Sequence, residues 1–237
     1  MAKPLKRRWA ALRGGPRWPS DSIHFLHVSK AAGSQINDII KQINAGRDRQ
    51  KLISHQHEVW LQHLPPDARY VFNMRDPASR FKSGFYGRKR KGRPRNNIEW
   101  SGDEHRAFLA FPHANDLAEA LFAPGQTGRE ATAAIRSIRH TARNFVDWFR
   151  FEGYLFDENP PLWIIRQERF DDDLAIFLKK IGHHAPITLH QDAIGRHSND
   201  YSDAPELSPL ALENLRRWYA QDYAFLDLCN DWMARNA

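Results

Sequence analysis

The stretch that decides the fold is Ile23–Asn44, IHFLHVSKAAGSQINDIIKQIN. Ile23–Val28 is short and mostly apolar, the pattern of a strand buried in a parallel sheet. Ser34–Asn44 then sets Ile36, Ile39, Ile40 and Ile43 at the i, i+3, i+4, i+7 spacing of one helix face. Between them lies the joint Ser29–Ser34, with Lys30, Ala31, Ala32 and Gly33. A helix that starts directly after a strand offers unsatisfied N–H groups and the positive end of its dipole, so such a joint can hold an anion. Gly33 and the two alanines leave the backbone approachable. The lysine precedes the glycine, whereas the nucleotide-phosphate loop, Gly-x-x-x-x-Gly-Lys-Ser/Thr, places it after. The joint fails that pattern, and taken alone an ordinary connection explains it equally well.

Outward from this unit the chain keeps alternating. Lys51–Ser54 and Ala68–Met74 read as further strands, and Asp76-Pro77 opens a helix, with Asp as N-cap and Pro at the first helical position. Arg88–Asn97 reads as a loop. Asp103 to Phe149 reads as mostly helical, divided by Pro112, Pro124-Gly125 and Gly128. Pro161–Glu168, PLWIIRQE, is another strand candidate. Phe170–Gly182 is a helix with acids in its first turn, lysines in its last and a terminal glycine, an order that suits the helix dipole. Ser208-Pro209 starts a long final helix reaching about Met233. The expected fold is α/β, a P-loop-like three-layer arrangement with a central, mostly parallel sheet flanked by helices and a helical insertion in the middle. In such sheets ligands sit at the carboxyl ends of the strands.

The 237 residues suit one domain over 21–237 after a basic arm, 1–20. The arm lacks a signal peptide's apolar centre, and no apolar run approaches the roughly 20 residues of a membrane span. A cytoplasmic location is expected, with the arm on the domain surface or peripherally against an anionic membrane. The net charge of +7 favours polyanionic partners without choosing among them. Cys229, the one cysteine, sits in an apolar helical pattern and reads as core.

A second anion motif follows the third strand: Arg75–Tyr86, RDPASRFKSGFY, in which Arg80 and Ser83 are three apart on one helix face. A guanidinium fork with a hydroxyl suits a phosphate, and an Arg–Asp–Arg ion-pair cluster explains the same residues. The two motifs together carry a resemblance. HVSKAAGS resembles the 5′-phosphosulfate loop of sulfotransferases that use 3′-phosphoadenosine 5′-phosphosulfate (PAPS), and RDPASRFKSGFY is similar to their 3′-phosphate motif, in the family's order and about forty residues apart. The best match is the branch of carbohydrate sulfotransferases, whose loop usually reads Pro-Lys-Thr/Ala-Gly-Gly-Thr/Ser. Ser29 stands here for the proline and Ala32 for the first glycine. GRHSNDY, with Arg196 and His197, is similar to the family's closing cofactor loop. The resemblance covers about Ile23 to Trp232, without an alignment for Arg88 to Phe156.

The resemblance implies sulfuryl transfer from PAPS to a hydroxyl, less readily an amine, with 3′,5′-ADP (PAP) as product and no metal. Lys30 would meet the charge developing on the bridging oxygen. The loop Ser29, Lys30, Ala31, Ala32, Gly33, Ser34 and Gln35 would hold the 5′ end, Arg75 and Ser83 the 3′-phosphate, and Arg196 and His197 would close over the nucleotide. The base would be His55, which follows a short strand where many family members carry Gly-His. His57 and Glu58 are the alternatives, and an imidazole suits the task at neutral pH. His57 would share a face with His55 if the strand continued. The acceptor implied is a glycan, glycolipid or other glycoconjugate. The basic run Arg88–Arg95 is a candidate grip for an acidic acceptor or membrane, or a plain solvated loop. A kinase-like enzyme and a nucleic-acid-binding module are the competing classes. The first is disfavoured by the loop pattern, and the second rests on charge alone.

Overall fold

The computed structural model describes residues 18–19, 21–46, 51–94, 96–149, 155–189, 201 and 203–237. The chain divides into two compact units. One comprises residues 1–74, 146–197 and 228–237, and the other 75–145 and 198–227.

The first unit holds a four-stranded, all-parallel sheet of order β2-β1-β3-β4. Its strands are β1 (Ile23–Leu26), β2 (Leu52–Ser54), β3 (Arg69–Met74) and β4 (Trp163–Arg166). All four residues of β1 are buried, as a central strand requires. Helix α1 (Gly33–Ala45) turns Ile36, Ile39, Ile40 and Ile43 inward, so the isoleucine stripe is its buried face. Each such side chain contributes about 1.5–3 kcal/mol by leaving water. The Asn44 amide clips the edge strand to α1. It donates to the Leu52 carbonyl and accepts from the Leu52 N–H, both at 2.9 Å.

The expected α/β class with a parallel sheet flanked by helices is the observed one. The later helix runs Phe170–Lys180 with three aspartates in its first turn and two lysines in its last. Gly182 takes φ 64° just beyond it, where His183 N–H reaches back to the Leu178 carbonyl at 2.9 Å and closes the helix.

The second unit is helical: α2 (Pro77–Lys89), α3 (Gly102–Ala110), α4 (Ala114–Ala120), α5 (Gly125–Ser137) and a helix at Pro209–Trp218. Phe81, Phe85, Phe108, Leu117, Ile135, Leu215 and Tyr219 form its core. Ser101 and Glu104 close a reciprocal cap at the start of α3. The single final helix expected from Ser208 is broken at Tyr219 into Pro209–Trp218 and Ala220–Asn236. The buried Tyr219 hydroxyl donates to the Thr141 carbonyl at 2.7 Å, a long-range tie. Among the described residues no helix is long and apolar enough to cross a membrane. Cys229 is fully buried, and burial pushes its thiol well above the ordinary range.

Candidate active site

The strand order fixes where to look. From β1 the chain crosses to β2 on one side, and from β3 it goes on to β4 on the other. The carboxyl ends of β1 and β3 flank the point where direction reverses, which is where open parallel sheets bind ligands. The segment His27–Ser34 leaves β1 at that point.

Asn73, fully buried on β3, holds this segment in shape. Its Oδ1 accepts from the Val28 N–H at 2.8 Å, and its Nδ2 donates to the Val28 carbonyl at 3.0 Å and to the Ala31 carbonyl. One side-chain amide thus supplies the pairing that the strand ladder no longer gives once the chain bends into the loop. Asn73 was not among the residues expected from the sequence. Its one signal is a polar residue in the apolar run RYVFNM.

The loop is strained. Lys30 has φ 66° and Ala32 φ 62°, ψ 14°, so two residues with side chains hold the left-handed conformation that costs about 1–2 kcal/mol each. Strain of this kind gathers at ligand clamps. Ala32 is the N-cap of α1 but has no side chain that could cap it, and the first turn carries no acid. The first intrahelical bond runs from Ile36 N–H to the Ala32 carbonyl at 3.2 Å, so the amides of Gly33, Ser34 and Gln35 precede the ladder. Burial alternates: Ser29, Ala31 and Gly33 are buried, while Lys30, Ala32, Ser34 and Gln35 are half-exposed. Side chains at 29 and 31 therefore serve the loop's own packing, while Lys30, Ser34 and Gln35 keep access to solvent.

Gly33 has a second reason to be glycine. A Cβ there would lie 1.8 Å from Nε2 of His27, so the close approach is made by an imidazole of the protein itself. His27 belongs to a set of four histidines that β1 sorts onto two faces. His27 lies with Phe25, their rings 5.4 Å apart, and its ring centroid is 4.1 Å from that of His57. His57 is further held by its Nδ1, 3.0 Å from the His27 carbonyl, while its own carbonyl accepts from the buried Trp148 indole at 3.1 Å. His24 points to the other face, where its Nδ1 lies 2.9 Å from Nε2 of His55 and the two rings stack at 5.2 Å. The Trp18 indole meets both rings edge-on. Burial lowers His24, and burial together with His24 pulls His55 down to about 4. The condition for His55 and His57 to share a face, a strand that continues to His57, is not met. Strand β2 ends at Ser54, and His57 lies in the turn beyond it, against His27 rather than beside His24. Among the described residues no three metal-ligating side chains cluster.

The second motif lies in the second unit. Arg75 is half-exposed and opens it. Asp76 caps α2, accepting from Ser79 N–H at 2.7 Å and from the Tyr223 hydroxyl at 3.2 Å. Tyr223 is pushed up to about 12, first by burial and then by that carboxylate. Ser83 is buried. Arg80 does not offer its fork on the helix surface. It is 2% exposed, its two terminal nitrogens donate to the Arg143 carbonyl, and its guanidinium lies 5.0 Å from the Phe145 ring centroid. Its fork is turned to a main-chain carbonyl rather than to the helix surface.

Much of the basic run is tied to the segment that follows it. Arg88 makes a buried, two-pronged pair with Glu104 at 2.7 and 2.6 Å and also donates to the Ile98 and Glu99 carbonyls. Burial works against ionised Glu104, but its bonds from Arg88 and from the Ser101 and Arg139 amides prevail and hold it below the usual range. Lys91 pairs with Glu99 and lies over Trp100, and Lys89 donates to the Pro112 carbonyl. Arg95, Arg196, His197 and nearly all of the basic arm lie outside the described residues. No family model matches this chain, and no curated protein does either.

Proposed function

We propose that the chain is a sulfotransferase that moves the sulfuryl group of PAPS to an acceptor hydroxyl, releasing PAP. The observation that carries the reading is the Asn73-clamped loop, strained at Lys30 and Ala32, leading into the uncapped start of α1 at the sheet's switch point. Alternation of hand along a short backbone segment aims successive amides at one concavity. The helix end adds about 0.3–2 kcal/mol and each charge-assisted hydrogen bond about 1.5–3, enough to hold a phosphate.

In this reading the 5′ end of PAPS meets the Gly33–Gln35 amides, Ser34 and Lys30. Sulfuryl transfer asks little covalent work of the protein and much positioning and charge stabilisation. Lys30, a mobile point charge, neutralises the bridging oxygen as its bond to sulfur breaks. Arg75 and Ser83 answer to the 3′-phosphate by their place in the motif. The acceptor class is a sugar hydroxyl on a glycan or glycolipid, which rests on the resemblance of the motifs to the carbohydrate branch.

The test uses PAP, which has the phosphates but no transferable group. PAP at 100 times its Kd should stabilise the fold by about 2.7 kcal/mol, and ATP should do less. Lys30→Ala should lower kcat far more than it weakens PAP binding, because its interaction grows in the transition state. No thermal shift at millimolar PAP would end this reading.

A further inference from the structure

We infer that His57 is the general base of the reaction and that His27 is the residue that positions it, an assignment that rests on the sulfotransferase reading above. The sequence points first to His55, with His57 as an alternative, and does not single out His27.

His57 Nδ1 lies 3.0 Å from the His27 main-chain oxygen, and a carbonyl only accepts. Nδ1 must therefore carry the proton, which makes Nε2 the basic nitrogen of the neutral ring. Which nitrogen is basic is set by the hydrogen bond of the other. Three contacts fix the ring and its backbone. The His27 imidazole stands 4.1 Å away, centroid to centroid, the His27 carbonyl holds Nδ1, and the Trp148 indole holds the His57 carbonyl. His27 is in turn wedged over Gly33, the first residue of α1, so the ring that buttresses His57 also forms one wall of the anion loop. A single residue thereby links the place where the phosphate binds to the place where the proton goes.

His55 has the opposite setting. Its Nε2 is taken up with His24, its ring is stacked and buried, and it lies on the other side of β1 from His27. Its lowered pKa makes it a poor proton acceptor at neutral pH as well.

The step balances simply. His57 Nε2 takes the proton of the acceptor hydroxyl and becomes imidazolium. The acceptor oxygen forms its bond to sulfur, and the bond from sulfur to the bridging oxygen breaks, with its electron pair staying on the 5′-phosphate of PAP. Lys30 meets that pair.

The test is nitrogen-15 NMR of the imidazoles in the full chain, with the His57 signal assigned by its loss in His57→Gln. The expected result is a neutral His57 in the Nδ1–H form, the opposite of the form an unconstrained histidine prefers. In His27→Asn, and in His27→Gln should the first variant fold poorly, the carbonyl stays but the buttressing ring is gone, and the His57 signal should move to the average of the two tautomers. With PAPS, His57→Gln should lower kcat by about 100-fold or more, with PAP affinity unchanged. A His57 in the Nε2–H form, while PAP still shifts the Gly33 and Ser34 amides, overturns this inference and leaves the sulfotransferase reading standing. Unchanged His57 signals in both His27 variants overturn the positioning role. If PAP moves no amide of the loop, the functional reading itself is lost.

Discussion

Asn73→Ala removes the side chain that pins Val28 and Ala31 in the loop after β1. Three bonds go with it: from Val28 N–H at 2.8 Å, to the Val28 carbonyl at 3.0 Å and to the Ala31 carbonyl. Val28 and Ala31 are both fully buried, so bulk solvent does not reach the groups left unpaired. A net hydrogen bond contributes about 1 kcal/mol, and a buried group left unpaired costs about 1–3. Taken near the lower end of that range, at about 1–1.5 kcal/mol each, the three losses sum to roughly 3–5 kcal/mol. For a chain of this size, with 2–4 °C lost per kcal/mol, the melting temperature should fall by about 10 °C. PAP affinity should fall in parallel, because Lys30 and Ala32 hold left-handed backbone only while the loop is pinned. Thermal unfolding with and without PAP measures both effects. A fall of less than about 2 °C with PAP affinity intact would refute the claim that Asn73 shapes the site.

Three further outcomes are expected. Glu104→Ala strands the buried Arg88 guanidinium and should cost about 3–5 kcal/mol in urea unfolding. His55 resists protonation in the fold down to about 4, while an unfolded histidine takes a proton near 6.5. The stability this confers is therefore complete above pH 6.5 and lost as pH falls from there towards 4. The full displacement corresponds to about 3 kcal/mol, which partial solvent access reduces to about 1–2, and a His55→Asn variant should show a correspondingly shallower acid limb in denaturant midpoints. Ala32→Gly relieves a left-handed alanine but loosens the unfolded chain, so the net change should be a gain of no more than about 1 kcal/mol. A loss beyond that in chemical denaturation would mean that the Ala32 methyl packs usefully.

What could be read from the sequence was local. The isoleucines at 36, 39, 40 and 43 announce a helix face because they lie within three turns, and all four are buried. Asp76-Pro77 announces a helix start for the same reason, and Asp76 is the cap. Contacts across long separations were not legible. Asn73 reaches a loop more than forty residues earlier in the chain, so nothing near it reveals a partner. Arg88 stands in a run that composition marks as surface, yet its partner Glu104 is a full helix cap away. Tyr219 ends a helix with no proline or glycine to mark the break, and its hydroxyl bonds to Thr141, far off in the chain. The histidines were half legible. His24 and His27 are three apart in extended chain and must face opposite ways, but which of His55 and His57 meets which of them depends on where β2 stops.

The central claim is that this loop serves a sulfuryl donor. Its most direct test is transfer of radiolabelled sulfur from PAPS into glycan and lipid fractions from a host cell extract, with the wild-type chain beside Lys30→Ala. The account predicts label in a carbohydrate-bearing fraction, PAP released in equal amount, and near-complete loss of both in Lys30→Ala. PAPS left intact by the wild-type chain across all fractions would contradict it.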